Sequence, residues 1–163
     1  MQIRKLERKD LPRVFDLYAA ARERMKQSGN PTQWKDSHPA AVLIEGDVER
    51  GTGYVVEEEG EIIGVFAFIL GKDPTYSYIE GKWLDDEIPY GTMHRVAGDG
   101  THKGVLKACL AFCEAQVKSM RVDTHENNKI MRHLLEKYGY RECGVIYVAD
   151  GSPRIAYQKI IGQ

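Results

Sequence analysis

The segment Met93-His94-Arg95-Val96-Ala97-Gly98-Asp99-Gly100-Thr101-His102-Lys103-Gly104-Val105-Leu106-Lys107 carries three glycines within seven positions. Neither helix nor strand propensity calls for them, so they mark backbone that bends sharply or is closely approached. Before them Met93 to Ala97 reads as a strand. After Gly104, the residues Leu106, Cys109, Leu110, Cys113 and Val117 recur at the three-and-four spacing of one helical stripe, with Lys107, Glu114, Gln116 and Lys118 mostly outside it. The glycine loop therefore joins a strand to the start of a helix.

A helix start has about four unpaired N–H groups and the positive end of a macrodipole, worth roughly 0.3–1 kcal/mol per exposed anionic contact. Glycines in front of it let an anion reach those groups, and Lys103 and Lys107 add charge, so a phosphate or pyrophosphate suits this loop. The alternative is a polar connection and nothing more. A P-loop is excluded, because Lys103 precedes its glycine and no hydroxyl follows, and the dinucleotide fingerprint is not matched either.

Downstream, Ser119 to His125 reads as a short strand. Glu126-Asn127-Asn128 caps a helix with apolar Ile130, Met131, Leu134, Leu135 and Tyr138, which Gly139 stops. Tyr140 leads into Cys143-Gly144-Val145-Ile146-Tyr147-Val148, a β-branched and aromatic strand.

This order of pieces resembles the GNAT superfamily of acyl-CoA-dependent N-acyltransferases, and the resemblance covers nearly the whole chain. In that superfamily a central strand splays from its neighbour. The loop after it carries Arg/Gln-x-x-Gly-x-Gly/Ala and holds the CoA pyrophosphate on backbone amides, and a later Asn-x-x-Ala-x-x-Leu-Tyr-x-x-x-Gly-Phe segment packs near pantetheine. Asn128, Met131, Leu134, Leu135, Gly139 and Tyr140 stand at the offsets of the later segment. In the earlier loop Gly104 sits at the first family glycine, while Thr101 takes the Arg/Gln position and Leu106 the small-residue position. Gly98 and Gly100 suggest a rearranged loop of the same purpose. Asp123-Thr124-His125, Asn128-Lys129, Met131 and the tail Gly151 to Lys159 resemble a bacterial branch of the superfamily.

The resemblance implies acetyl-CoA as acyl-donor cosubstrate and no metal. The residues it places at the coenzyme are Val96, Ala97, Gly98, Gly100, Thr101, His102, Lys103, Gly104, Val105, Leu106 and Lys107, with Asn128, Met131 and Leu135. A backbone N–H near Val96 or Ala97 would hold the thioester carbonyl. Members often dimerise, so a homodimer is a further expectation, with no interface specified.

Composition agrees with a single soluble domain spanning residues 1–163, with 42% hydrophobic and 29% charged residues. A net charge of −1 gives no electrostatic case for nucleic acid or an anionic membrane. No apolar run approaches the ~20 residues of a membrane span, and the charged N-terminus has no signal-peptide core, so a cytoplasmic protein is expected. Cys109, Cys113 and Cys143, odd in number and without Cys-x-x-Cys spacing, read as small buried hydrophobes.

In the N-terminal half Gln2 to Leu6 alternates as a strand, and Asp10 can cap a helix whose face is Leu11, Val14, Phe15, Tyr18 and Met25. A second helix is expected from about Pro39 to Arg50 with Ser37 as cap, then strands Gly53 to Glu58 and Glu61 to Leu70 around an Glu59-Gly60 turn. The order β-α-α-β-β-β-α-β-α-β-β is what the resemblance implies: a mixed α/β (α+β) GNAT-like fold. Its central, mostly antiparallel sheet would have six to seven strands with a splayed central pair, flanked by about four helices.

Gly71 to Tyr90 has no sustained period and reads as a long excursion between strands. Its Tyr76, Tyr78 and Trp83, with Asp85, Asp86 and Glu87, would suit a cationic amine, and Trp34 in the helix–helix connection raises the same question. The competing reading is that these aromatics pack the loops onto the body.

An amine resembling lysine has a pKa of about 10.4, so losing its proton at neutral pH costs roughly 4–5 kcal/mol before it attacks a thioester. A general base removes much of that cost, and histidine, with an intrinsic pKa of about 6.5, suits the task. His94 and His125 are the candidate bases, with Tyr138 as acid and Tyr147 and Tyr157 as other polar groups. Leu135 stands where many family members carry a tyrosine acid. His125 beside Asp123 and Asn128 could equally stabilise a turn, and no spacing supports a metal on His94, Asp123 and His125. Three readings follow: an N-acetyltransferase acting on a small-molecule or peptide amine, a CoA-binding or regulatory module without turnover, and an unrelated α/β phosphate binder.

Overall fold

At the N-terminus strand β1 (Gln2–Lys5) ends one residue short of the expected span, and Leu6 after it is 5% exposed with its N–H on the Gly53 carbonyl at 2.9 Å. The structure is a computed structural model that describes residues 1–162. A 3-10 turn, Arg8–Asp10, leads into helix α1 (Leu11–Gln27). Asp10 stands at the N-cap of α1, but its side chain does not cap that helix. Its carboxylate instead accepts the Glu7 N–H at 2.8 Å and takes Nη1 and Nη2 of Arg4 at 2.8 and 2.9 Å. Helix α2 (Ala41–Arg50) starts two residues later than expected, because extended Ala40, not Ser37, is its N-cap.

Strands β2 (Gly53–Glu58) and β3 (Glu61–Leu70) match their expected bounds. Glu59 and Gly60 between them have φ of 51° and 82°, the two left-handed residues of a type I′ hairpin. Their register runs Val56↔Gly64 and then Glu57↔Ile62, so Ile63 bulges from the ladder. The excursion holds a 3-10 turn at Pro74–Tyr76 and a two-residue strand β4 (Glu80–Gly81). Then follow β5 (Gly91–Gly98), α3 (Val105–Glu114), β6 (Ser119–Thr124), α4 (Lys129–Lys137), β7 (Arg141–Tyr147) and β8 (Pro153–Ile160). The order is the expected one, with β4 raising the strand count among the described residues to eight in a mixed α/β, mostly antiparallel arrangement.

The chain divides into two units. The first, Met1–Phe68 with Met93–Phe112, contains the strand order β1-β2-β3-β5 and helices α1 and α2. Val14, Leu17 and Tyr18 of α1 and Ile44 of α2 pack with Val55, Val65 and Ala97 from the strands. Each valine, leucine or isoleucine among them contributes about 1.5–3 kcal/mol when fully buried. In the second, Ile69–Thr92 with Cys113 onward, the order is β5-β6-β8-β7-β4. There β5 supplies only Gly91 and Thr92, parallel to Met120 and Arg121, whereas β6, β8, β7 and β4 pair antiparallel. Its core gathers Tyr76, Trp83, Tyr90, Ile146 and Ala156. No helix among the described residues is long and apolar enough to cross a membrane.

Two details depart from the apolar pattern. Ile130, one of the apolar residues of α4, is 66% exposed while Leu135 is 0% exposed. Five residues place them about 140° apart around the helix, so both cannot face inward. Gly64 of β3 has no local reason to be glycine. A Cβ there would lie 2.8 Å from Val105 Cγ1, so its absence lets the start of α3 settle on the strand. Gly64→Ala is therefore expected to destabilise the fold by about 1–3 kcal/mol through overpacking, read from the midpoint of a urea unfolding curve at constant slope.

Candidate functional site

The glycine loop is organised by Asp99. Its N–H donates to the carbonyl of the bulged Ile63 at 2.9 Å, fixing the loop to β3. Its carboxylate accepts the N–H groups of Thr101 at 3.0 Å and His102 at 2.9 Å, the Thr101 hydroxyl at 3.0 Å, and lies 2.6 Å from His102 Nδ1. Burial opposes its charge, but these hydrogen bonds outweigh burial and hold the carboxyl well below the usual range. The acid thus serves the loop's own backbone.

The loop's faces differ. The Gly98 carbonyl accepts Arg24 Nη2 at 2.6 Å, and Gly100, at φ +82°, leaves room for that guanidinium, which lies 3.0 Å from where a Cβ would be. Gly104 also has φ +82°, but nothing lies within 4 Å of its missing Cβ. Its carbonyl accepts the Ala108 N–H at 3.0 Å, closing the first turn of α3. The N–H groups of that turn have no partner within the helix and are approached across an open glycine, with exposed Lys103 and Lys107 alongside. This cradle fits a phosphate group. Arg24 adds a third cation from α1, which no motif in the loop could have announced.

The strand before the loop carries the strongest backbone constraint. Arg95 has φ of 53° in the middle of β5, a conformation that costs a non-glycine residue about 1–2 kcal/mol. Its guanidinium lies on Asp47 of α2, Nε at 3.1 Å and Nη2 at 2.8 Å. Asp47 is 2% exposed and accepts the Thr52 hydroxyl at 2.9 Å as well. Tyr18 of α1 donates its hydroxyl to the Arg95 carbonyl at 2.7 Å. Burial pushes that phenol far above its ordinary pKa, so it remains a donor. Sequence reasoning missed this trio. His94 and Val96 are half-buried beside it and Ala97 is buried.

In the second unit, Asn128 caps α4, its side-chain oxygen accepting the Met131 N–H at 3.2 Å. Met131 is half-buried on the same helix, and Leu135 has no exposed surface. His125 Nδ1 accepts the Asn127 N–H at 3.0 Å, which puts the ring's proton on Nε2. Burial and the nearby Arg154 lower its pKa. Tyr138, half-buried, ends α4, and its carbonyl accepts Lys159 Nζ at 2.9 Å. Arg132 donates to the Tyr157 hydroxyl at 3.0 Å and to Glu142 at 3.0 Å.

The aromatic residues separate into packed and open. Trp34 is 7% exposed within the first unit's core, edge-on to Tyr18 at 5.8 Å. Tyr76 and Trp83 are 2% and 6% exposed, 5.1 Å apart, with the Tyr76 hydroxyl donating to Asp123 at 2.6 Å and the Trp83 ring N–H to the Tyr76 carbonyl at 3.2 Å. Tyr78 is 62% exposed, 6.4 Å from the ring of Tyr147. The excursion is anchored by Arg121, 1% exposed between the rings of Trp83 and Tyr90, each centroid 3.9 Å away. Its Nη2 donates to the Asp85 carbonyl at 3.0 Å and to Asp86 at 2.9 Å. Among the described residues, no three His, Cys, Asp or Glu side chains gather as a metal site.

Residues 1–141 match the family model described as an acetyltransferase (GNAT) domain. A GNAT-family acetyltransferase from Streptococcus agalactiae is 34% identical, with 99% of this chain and 96% of that one covered and a TM-score of 0.90. A GNAT-family acetyltransferase from Listeria monocytogenes is 23% identical over 98% of this chain and 94% of that one, TM-score 0.72. A ribosomal-protein-alanine N-acetyltransferase from Brucella melitensis shares the fold at 18% identity, TM-score 0.66, over 99% and 100% of the two chains. No curated protein matches the chain.

The Asp99 carboxyl sits below its unfolded pKa of about 3.9, so its bonds stabilise the fold above that pH and are lost as pH falls through the lower folded value. Asp99→Asn is expected to unfold more readily than wild type at pH 5–8, and the gap should close progressively below about pH 4 when followed by thermal denaturation across pH.

Proposed function

The chain belongs to the GNAT acetyltransferase family, and on that premise we propose that it transfers an acetyl group from acetyl-CoA to the primary amine of a small molecule or a peptide. The observation that carries this reading is the open approach at Gly104 to the first turn of α3, flanked by Lys103 and Lys107. Acetyl-CoA supplies a pyrophosphate and an activated thioester carbonyl. The N–H groups of Val105, Leu106 and Lys107 bind the pyrophosphate, with Gly98, Gly100, Thr101 and His102 shaping the loop around Asp99. The Val96 or Ala97 N–H takes the thioester carbonyl, and Asn128 and Met131 attend the pantetheine arm.

His94 is the base in this proposal, taking a proton from the attacking amine directly or through one water. His125 is the weaker candidate, since its Nδ1 lone pair is engaged by Asn127 and its Nε2 already carries a proton. Tyr138 returns a proton to the departing thiolate, whose pKa of about 8.5, by analogy with cysteine, makes it a tolerable leaving group. Of the four aromatics expected at the amine, Tyr78 has the open ring surface a cationic acceptor needs. Leu135 favours a second reading, a CoA-binding module without turnover, because an apolar, wholly buried side chain stands where many relatives carry an acid.

Isothermal calorimetry with acetyl-CoA, CoA and ADP tests the coenzyme site. Micromolar binding of acetyl-CoA, much tighter than ADP, is expected, and Gly104→Val should remove it in a protein that still folds. An amine screen then separates the two readings by CoA release. With an acceptor in hand, His94→Gln should lower kcat by about 100-fold or more while acetyl-CoA affinity holds. Loss of kcat in His125→Gln instead would reverse the assignment.

A further inference from the structure

We propose that Tyr18 and Asp47 are positioning residues for the acyl donor, holding the Arg95–Val96 peptide so that its N–H is aimed at the thioester carbonyl. The inference rests on the coenzyme reading above and adds residues that it does not contain. A trans peptide points its C=O and N–H to opposite sides. The Arg95 carbonyl and the Val96 N–H belong to one peptide plane, so whatever fixes the first sets the direction of the second. The Tyr18 hydroxyl, on a side chain only 2% exposed, fixes that carbonyl at 2.7 Å. The N–H is thereby directed away from the α1 side of the strand.

The carbonyl contact alone would not keep a strained residue in place. At φ 53°, Arg95 would relax toward the extended region unless its side chain were held. The bidentate contact with Asp47 supplies that hold, at 3.1 and 2.8 Å, with the guanidinium side chain 11% exposed and the carboxylate side chain 3% exposed. Asp47 lies near the C-terminal end of α2, where the helix dipole disfavours a carboxylate. The carboxylate also meets the exposed Arg50 one turn on at 3.7 Å and the Thr52 hydroxyl, but its buried bidentate partner is Arg95, whose conformation it holds. Two helices thus fix a single peptide plane.

Asp47→Asn, Tyr18→Phe and Arg95→Gly test the assignment, each checked for folding by circular dichroism. The readouts are the acetyl-CoA and CoA dissociation constants and the shift of the Val96 amide in ¹⁵N spectra on adding acetyl-CoA. CoA affinity should stay within about twofold, since the loop from Gly98 to Gly104 is untouched. The preference for acetyl-CoA over CoA should fall about fivefold in Asp47→Asn and Tyr18→Phe, the worth of one hydrogen bond, and the Val96 shift should shrink. Glycine adopts positive φ without strain, so Asp47→Asn added to Arg95→Gly should cost no further preference. A purely structural salt bridge would lower stability on Asp47→Asn only where Arg95 is present, and would leave the ratio alone in both backgrounds. An unchanged ratio and Val96 shift in folded Asp47→Asn and Tyr18→Phe would overturn the proposal, even with wild-type coenzyme binding intact. Wild-type protein that fails to bind acetyl-CoA would overturn the coenzyme reading itself, and this proposal with it.

Discussion

A left-handed arginine in the middle of a strand persists only when its surroundings over-determine it. In β5 that is done by a buried carboxylate from α2 and a buried phenol from α1, which act on opposite ends of the same residue, side chain and carbonyl. Much of the first unit is arranged around this demand. Tyr18 is at once a core side chain, packed with Val14 and Leu17, and the donor that fixes a strand carbonyl. Asp47 is likewise tied to Thr52 at the approach to β2. Apolar burial supplies most of the stabilisation, yet the polar trio decides which backbone conformation that burial preserves.

The loop after β5 obeys a related logic of close approach. Gly64 admits Val105, the bulged Ile63 offers its carbonyl to Asp99, and Asp99 folds Thr101 and His102 around itself. Each contact positions the first turn of α3 without occupying its N–H groups from the Gly104 side. An acid so near a proposed anion site would be expected to repel the ligand. Its four hydrogen bonds to the loop spread that charge over the loop's own donors.

What could be read from the chain alone follows from the range of the interactions. The β2 and β3 bounds were legible because alternation and the Glu59-Gly60 turn are local, and so was the start of α3 after Gly104 and the cap at Asn128. Arg95 left no trace, because a positive φ outside glycine comes from partners 48 and 77 positions away in the chain. Arg121 was hidden for another reason: β6 is buried on both faces at Met120 to Val122, so alternation could not assign the arginine to solvent or core. The aromatics of the excursion had an ambiguous composition, and only packing distinguishes Tyr76 and Trp83 from Tyr78. The glycine loop reads from the sequence as a candidate anion site or a polar connection, while the placing of Arg24 against its Gly98 carbonyl lay beyond any local pattern.

Neither unit is a continuous stretch of chain, and this has a consequence for biosynthesis. The first lacks its β5 strand until Met93–Phe112 has been made, although β1, β2 and β3 are complete by Leu70. Ile69–Thr92 emerges earlier still, yet Arg121 and Gln158, which receive its backbone, lie far downstream. On the ribosome, therefore, the excursion spends much of translation without its anchors, exposing Trp83 and Tyr90 to solvent and to chaperones until nearly the last strand is synthesised.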